Sequence, residues 1–357
     1  MGYFFYYYVI AMKFNWNGEI VMTTTIKDVA KLAGVSISTV SRVINNSKPV
    51  SLEVRKKVLD AIKELDYKPN EVARSLVTRK SNLIGVIVTD LGNSYIAEMV
   101  RGIEEIGQMY NYDIILSSSY GNIDAEMKFV KFLTSKQVEG IVLISEKNDN
   151  EVIDEIQNYN IPFIYLNRYC SKSDLSTVSI DNYKACYSMV EYLSDLGHEN
   201  ILYISYENDD EYSVEISKIE GYNKAIQDKE KKGSVYYAKG LTIQDGYDIG
   251  KSVLQFVREN DISAIFCCHD EIAIGLMSYC YDKKIRVPED ISICGFGDKS
   301  IASIYRPRLT TVREPFYDIG AVAIRSVIKK INGQELKDDK LLLPFQIMKR
   351  ESCAKIR

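Results

Sequence analysis

Arg42 has Ile37, Ser38, Ser41 and Asn45 on its own side of any helix that runs through them, because their spacings are those of one helical face. A guanidinium set among small polar groups can pair in bidentate fashion with O6 and N7 of guanine, which is worth about 1–3 kcal/mol of base discrimination in a major groove. Val40, Val43 and Ile44 turn the other way, so the segment has one face for a core and one for base edges. A second group follows at Asn70 to Leu76, where Pro69 stops the preceding helix and Asn70 can cap a new one of barely two turns. Such a helix is marginal in water because nucleation costs more than its few bonds return, so it needs a partner. Val72 and Leu76 share a side, and two copies across a dyad could pack through Val72 and push Leu76 between base steps from the minor groove. An ordinary linker helix is the plain alternative.

Three helices must position Arg42. The first begins at Thr25, with Asp28 spaced for a reciprocal cap and Val29 and Leu32 expected on its apolar side, and Gly34 ends it. Ser36 caps the second, which carries Arg42. The third starts at Ser51 and bears Val54, Val58, Ala61, Ile62 and Leu65 on one stripe, so the three can close a small core. Arg55, Lys56 and Lys57 near its start suit phosphate contact beside a base-reading helix, and otherwise form a solvated charged face.

The run Ile26-Lys27-Asp28-Val29-Ala30, with Gly34-Val35-Ser36, Thr39 through Asn45 and Pro69-Asn70 through Leu76, resembles the LacI/GalR family of bacterial repressors, and the likeness continues through nearly all of the chain from Ile26. The resemblance implies a homodimer on a pseudo-palindromic double-stranded operator. It places Ile37, Ser38 and Arg42 at base-reading positions, Thr39, Ser41, Asn45, Asn70 and Ala73 among the DNA contacts, and Leu76 at the intercalating position. The expected organisation is a helix-turn-helix domain over 22–68, a hinge helix and linker over 69–81, and a core for effector binding and dimerisation over 82–357.

Charge agrees with two unlike parts. Residues 22–80 hold 12 Lys and Arg against 6 Asp and Glu, while residues 81–357 hold 32 against 42. A basic head supplies the counterion-releasing contacts of DNA binding, and an acidic body argues against nonspecific coating by the whole surface. Seven cysteines without a CxxC pair and two histidines, His198 and His269, give no metal-ligand pattern. Cys267 and Cys268 lie in an apolar run, where reduced, buried thiols fit a cytoplasmic protein. No GxSxG, Walker loop or GxGxxG is present, so neither an enzyme nor a cofactor is expected. Tyr3 to Met12 is an apolar stretch too short to span a bilayer and without the basic start of a signal peptide. Residues 1–21 are expected to be a non-native leader. Met22 is the expected start, since Asn17-Gly18-Glu19 could be encoded by a GGAG-containing ribosome-binding stretch.

From Leu83 onward short apolar runs alternate with amphipathic helical segments: Leu83 to Val88, Asp113 to Leu116, Gly140 to Ile144, Phe163 to Leu166, Ile201 to Ile204, Ala264 to Cys267 and Ile291 to Gly295. That rhythm predicts an α/β body of parallel sheets wrapped by helices. Two lobes dividing near Asp181, with a second crossing near Leu309 to Glu314, resemble the periplasmic-binding-protein fold, whose ligands sit in the cleft. There Asp270 matches a family position that often holds a ligand hydroxyl, with helix capping as its plain role. Lys218 stands where sugar- and purine-responsive relatives usually carry Arg, so the cleft looks weak as a sugar sensor. Arg325 and Lys329 share a helical face with Val322 and could present two cations and an apolar contact to a phosphoserine. A solvated basic helix end is the plain reading. The segments Asp90 to Asn93, Tyr112 to Ser117, Arg306 to Val312 and Tyr317 to Arg325 resemble the catabolite-control members of the family in low-GC Gram-positive bacteria. That resemblance implies a protein corepressor, the phosphocarrier HPr phosphorylated on serine, held by Asp90, Tyr317, Asp318, Val322, Arg325 and Lys329, with sugar phosphates in the cleft as a possible addition. The rival is a local sugar-operon repressor released by a free sugar.

Overall fold

Local capping chemistry sets the ends of the first three helices. The computed structural model describes residues 12–14, 20–22, 24–45, 48–67, 80–145, 150–166, 175–206 and 213–356, which belong to two units, 1–81 and 82–357. Near the N-terminus, β1 (Met12–Phe14) and β2 (Ile20–Met22) pair antiparallel with Met12 opposite Met22. Most of the expected leader, and all of the expected hinge helix with Asn70, Ala73 and Leu76, lie outside the described residues.

Helix α1 (Ile26–Ala33) starts where the Thr25 N–H and hydroxyl donate to Asp28 Oδ2 at 2.9 and 2.7 Å, contacts that hold the Asp28 carboxyl below its ordinary range. Gly34 ends it in the left-handed region at φ 65, open to glycine without steric cost. Ser36 Oγ accepts from the Thr39 N–H at 3.2 Å to open α2 (Ile37–Asn45), and Ser51 Oγ accepts from the Val54 N–H at 3.4 Å to open α3 (Leu52–Glu64). Val29, Ala30, Ala33, Val40, Val43, Val58 and Ala61 form the core, with Ile44, Ile62 and Leu65 packed against it. Leu32 departs from expectation at 46 % exposed. Val29, Ala30 and Ala33 are the α1 residues that enter the core, and Leu32 falls on the flank of that face.

In the larger unit, β3 (Leu83–Val88), β4 (Asp113–Ser118), β5 (Gly140–Ile144) and β6 (Phe163–Leu166) form a parallel sheet in the order β4-β3-β5-β6. Along β3, Ile84, Val86 and Val88 point into one core while Ile87 points into another, the both-faces burial that makes parallel strands read as continuous apolar runs. Helices α5 (Ile123–Ser135) and α6 (Asn150–Asn158) cover the second face, and α4 (Ser94–Met109) covers the first. The chain leaves this lobe through β7 (Thr177–Ile180) and enters a second. There β8 (Asn200–Tyr206), β9 (Lys232–Ala238), β10 (Ala264–Cys267), β11 (Ser292–Gly297) and β12 (Thr310–Arg313) pair in parallel, and β14 (Gln346–Met348) adds antiparallel to β12. Helices α7 (Asn182–Asp195) and α8 (Val214–Asp228) pack one face; α9 (Ile243–Asp248), α10 (Gly250–Glu259) and α11 (Asp270–Asp282) pack the other; and α12 (Ser300–Ile304) follows β11.

Both expected crossings are present: Val178 lies in the first lobe's core and Ile180 in the second's, and Val312 and Phe316 mark the return. Helix α13 (Phe316–Ile331) therefore belongs to the first lobe. A third crossing is additional. Strand β13 (Lys340–Leu343) pairs in parallel with β7, and the chain then passes to β14 in the other lobe.

Candidate functional site

On α2, Ile37, Ser38 and Arg42 are exposed while Val40 and Val43 are buried, so the base-edge face is presented as the spacing requires. Ser36 Oγ lies 2.8 Å from Ser38 Oγ and 2.9 Å from Thr39 Oγ1, a hydroxyl cluster that ties the first turn of α2 to its cap. Ser41 is half-buried and Asn45 is the last residue of the helix. Of the basic residues on α3, Lys57 pairs with Glu53 at 2.8 Å, and both are exposed.

In the body's second lobe, Lys218 and Asp270 are both buried and both engaged internally. The Lys218 ammonium donates to Cys268 O at 3.2 Å, stands 3.4 Å from Glu215 Oε2 and lies 4.2 Å from the centroid of Phe296. Glu215 Oε1 in turn accepts from the Tyr203 and Ser205 hydroxyls at 2.7 and 2.9 Å. An ammonium and carboxylate removed from water need such partners, since a lone buried charge is strongly disfavoured. Asp270, for which the sequence offered either a ligand hydroxyl or helix capping, accepts from the Thr311 hydroxyl at 2.5 Å and from the Lys299 N–H at 2.7 Å. Its carboxylate is a fastener between α11, β12 and the start of α12. A cavity lined by both lobes, beside Ser145, Asn182, Glu314 and Phe316, measures about 40 Å³.

Helix α13 is buried along Ile319, Ala323, Ile324, Val327 and Ile328 and exposed at Asp318, Arg325 and Lys329, with Val322 half-buried between them. These four positions, at steps of four, three and four, form one outer stripe. Neither Arg325 nor Lys329 makes an ion pair among the described residues. Glycines bring α13 against α4: a Cβ on Gly320 would stand 2.8 Å from the Met99 carbonyl carbon, and one on Gly102 would stand 3.1 Å from that of Tyr317. That approach sets the Tyr317 ring under Arg101, 5.1 Å from guanidinium carbon to centroid, and lets the Tyr317 hydroxyl donate to Glu105 Oε2 at 2.6 Å. The bond to Glu105 raises the Tyr317 phenol above its ordinary pKa. Arg101 and Glu105 escape sequence reading, because only the glycine contact carries them to α13. Asp90 lies in the turn after β3, where its carboxylate accepts from the Gly92 N–H at 2.8 Å.

Residues 25–70 match the bacterial regulatory proteins of the lacI family, and residues 190–353 match the periplasmic binding protein-like domain. The HTH-type transcriptional regulator RegA of Clostridium saccharobutylicum is 36 % identical over 334 residues, covering 93 % of this chain and 99 % of that protein. Catabolite control protein A of Priestia megaterium is 36 % identical over 341 residues, covering 93 % and 99 %. Among solved structures, the Lac repressor dimer bound to operator and the anti-inducer ONPF superposes with a TM-score of 0.81 at 26 % identity, covering 93 % of this chain and 99 % of that one. No helix among the described residues is long and apolar enough to cross a membrane.

Proposed function

This chain belongs to the lacI family of bacterial regulatory proteins, which are DNA-binding transcriptional regulators, and we propose that it works in carbon catabolite control, mainly as a repressor. In this reading it is a cytoplasmic homodimer on a pseudo-palindromic operator, with serine-phosphorylated HPr as corepressor. Arg42, Ile37 and Ser38 read base edges, Thr39, Ser41 and Asn45 support them, and Asn70, Ala73 and Leu76 act in the minor groove. The domain limits follow as 22–68, 69–81 and 82–357.

The observation that carries the corepressor reading is the stripe on α13. Arg325 and Lys329 are two exposed cations one turn apart, without ion-pair partners among the described residues, beside Val322. Charge-assisted hydrogen bonds to a phosphate would satisfy both while an apolar neighbour seats against Val322. Tyr317 and Asp318 extend the same surface, with Asp90 a further contact in this reading. The cleft supports the assignment from the other side. One cavity between the lobes, of about 40 Å³, holds a few waters, given that one needs about 10–15 Å³ on this measure, and Lys218 is already engaged. A pocket of about 220 Å³ lined by Tyr95, Glu98, Lys299, Arg313 and Asp318 is large enough for a small sugar phosphate as an adjunct. A docked protein that prefers the closed lobes shifts the population toward operator binding only by that preference.

The test is operator affinity at fixed salt, on a pseudo-palindrome with a central CG step, with either serine-phosphorylated HPr or free sugars added. Tightening by the phosphoprotein is the expected result. Indifference to it, together with release by a sugar, would establish the rival sugar-operon repressor.

A further inference from the structure

Lys299 is fixed on the second lobe at both ends of its side chain. Its N–H donates to Asp270 Oδ2 at 2.7 Å, its ammonium is paired with Glu271, and Asp270 Oδ1 is itself held by the Thr311 hydroxyl at 2.5 Å. From that anchored base the ammonium crosses to the first lobe and lies 5.2 Å from the centroid of the Tyr95 ring on α4. Tyr95 packs in turn at 5.4 Å on Phe316, which stands just past the second crossing. The contact is shielded from water, with the Lys299 side chain 11 % exposed and Tyr95 3 % exposed. A cation over an aromatic face gains strength when desolvated, because water no longer competes for the charge.

We propose that Lys299 and Tyr95 form a cross-lobe latch that holds the two lobes together without requiring a small molecule as the bridge. In two-lobed binding folds a cleft ligand is the bridge that favours closure; here a side chain of one lobe reaches the other directly, and the Asp270 carboxylate stiffens the base of that bridge. The resting molecule is then biased toward closure, and a docked partner adds to a bias already present. The link from closure to operator affinity rests on the function proposed above; the latch itself rests on geometry alone.

The test uses the full chain in a Cys170→Ser background with Lys128→Cys and Lys251→Cys introduced at exposed sites on the two lobes, so that spin labels report lobe separation. Lys299→Met keeps the side-chain stem and removes the cation, whereas Lys299→Arg keeps both charge and ring contact. Expected is a longer, broader label distance in Lys299→Met, restored in Lys299→Arg, with operator affinity in the absence of corepressor lowered about three- to thirty-fold in Lys299→Met alone. Tyr95→Leu removes the other half and is expected to open the lobes likewise, which keeps the test available if one variant folds poorly. An unchanged distance distribution in a folded Lys299→Met or Tyr95→Leu protein would overturn the latch. Open lobes with unchanged operator affinity would uphold the latch and instead overturn the link between closure and DNA binding.

Discussion

Gly320→Ala separates two opposite expectations by sign. In an isolated helix the change stabilises by about 1 kcal/mol, because glycine is the poorer helix former. In this molecule the new Cβ would meet the α4 backbone, 2.8 Å from the Met99 carbonyl carbon and 2.9 Å from its Cα. Carbon pairs rest at about 3.5–4.0 Å, so the helices must part by roughly 1 Å, enough to forfeit a quarter to a half of each dispersion contact across the seam. Met99, Ile103, Ile319, Ala323 and Ile324 are the buried side chains that lose those contacts. Overpacking costs about 1–3 kcal/mol, and a backbone obstacle that cannot rotate away places this site at the upper end. Net of the helix gain, the expected loss is about 2 kcal/mol, which is a fall of roughly 3–4 °C in Tm for a unit spanning residues 82–357. Thermal unfolding followed by far-UV circular dichroism measures it. The same displacement would carry Tyr317 away from Arg101 and Glu105 and weaken the corepressor response while sparing operator binding by the unpartnered protein. A Gly320→Ala protein as stable as the parent, or more stable, would refute the close packing of α4 and α13 on which the proposed docking surface is built.

Arg325→Ala is expected to weaken binding of serine-phosphorylated HPr by about 10- to 150-fold, the equivalent of one lost charge-assisted hydrogen bond of about 1.5–3 kcal/mol, with Tm unchanged; calorimetric titration and a melt check both. Arg42→Ala should cost about 1–3 kcal/mol against the preferred operator and flatten the preference at one base position, as read by competition binding to single-base variants. His198 is buried, its Nδ1 2.9 Å from Ser263 Oγ, and burial lowers its pKa below the ordinary 6.5. The unfolded chain therefore binds that proton first, so His198 makes stability fall as pH drops below about 6.5 until the folded pKa is passed. His198→Gln should remove that part of the slope in melts between pH 7 and pH 5; an identical slope would show that His198 does not cause it.

How far the chain could be read depended on how local the physics was. Helices α1 to α3 were legible because caps at Thr25, Ser36 and Ser51 and apolar periodicity both act within a few residues. The strands of continuous apolar residues were legible because burial on both faces leaves no polar alternation. Strand β9 was not, since Lys232 to Ala238 sits at a sheet edge and is largely half-buried or exposed. The third crossing was hidden for the same reason: β13 and β14 are short and only partly buried. In the candidate site, the stripe of Val322, Arg325 and Lys329 followed from helical spacing alone. The roles of Asp270 and Lys299 did not, because Thr311, Glu271 and Tyr95 reach them only through the tertiary fold. Leu32 was misplaced because helical periodicity alone does not say which of two neighbouring flanks the third helix will meet.

The most direct measurement is the ratio of affinities for a symmetric operator and for the same duplex with one half-site scrambled, taken with and without serine-phosphorylated HPr at one salt concentration. A paired reader gives a large preference for the symmetric duplex, and the phosphoprotein tightens that binding further. Equal affinity for the two duplexes, or a phosphoprotein that leaves both unchanged, would contradict the account.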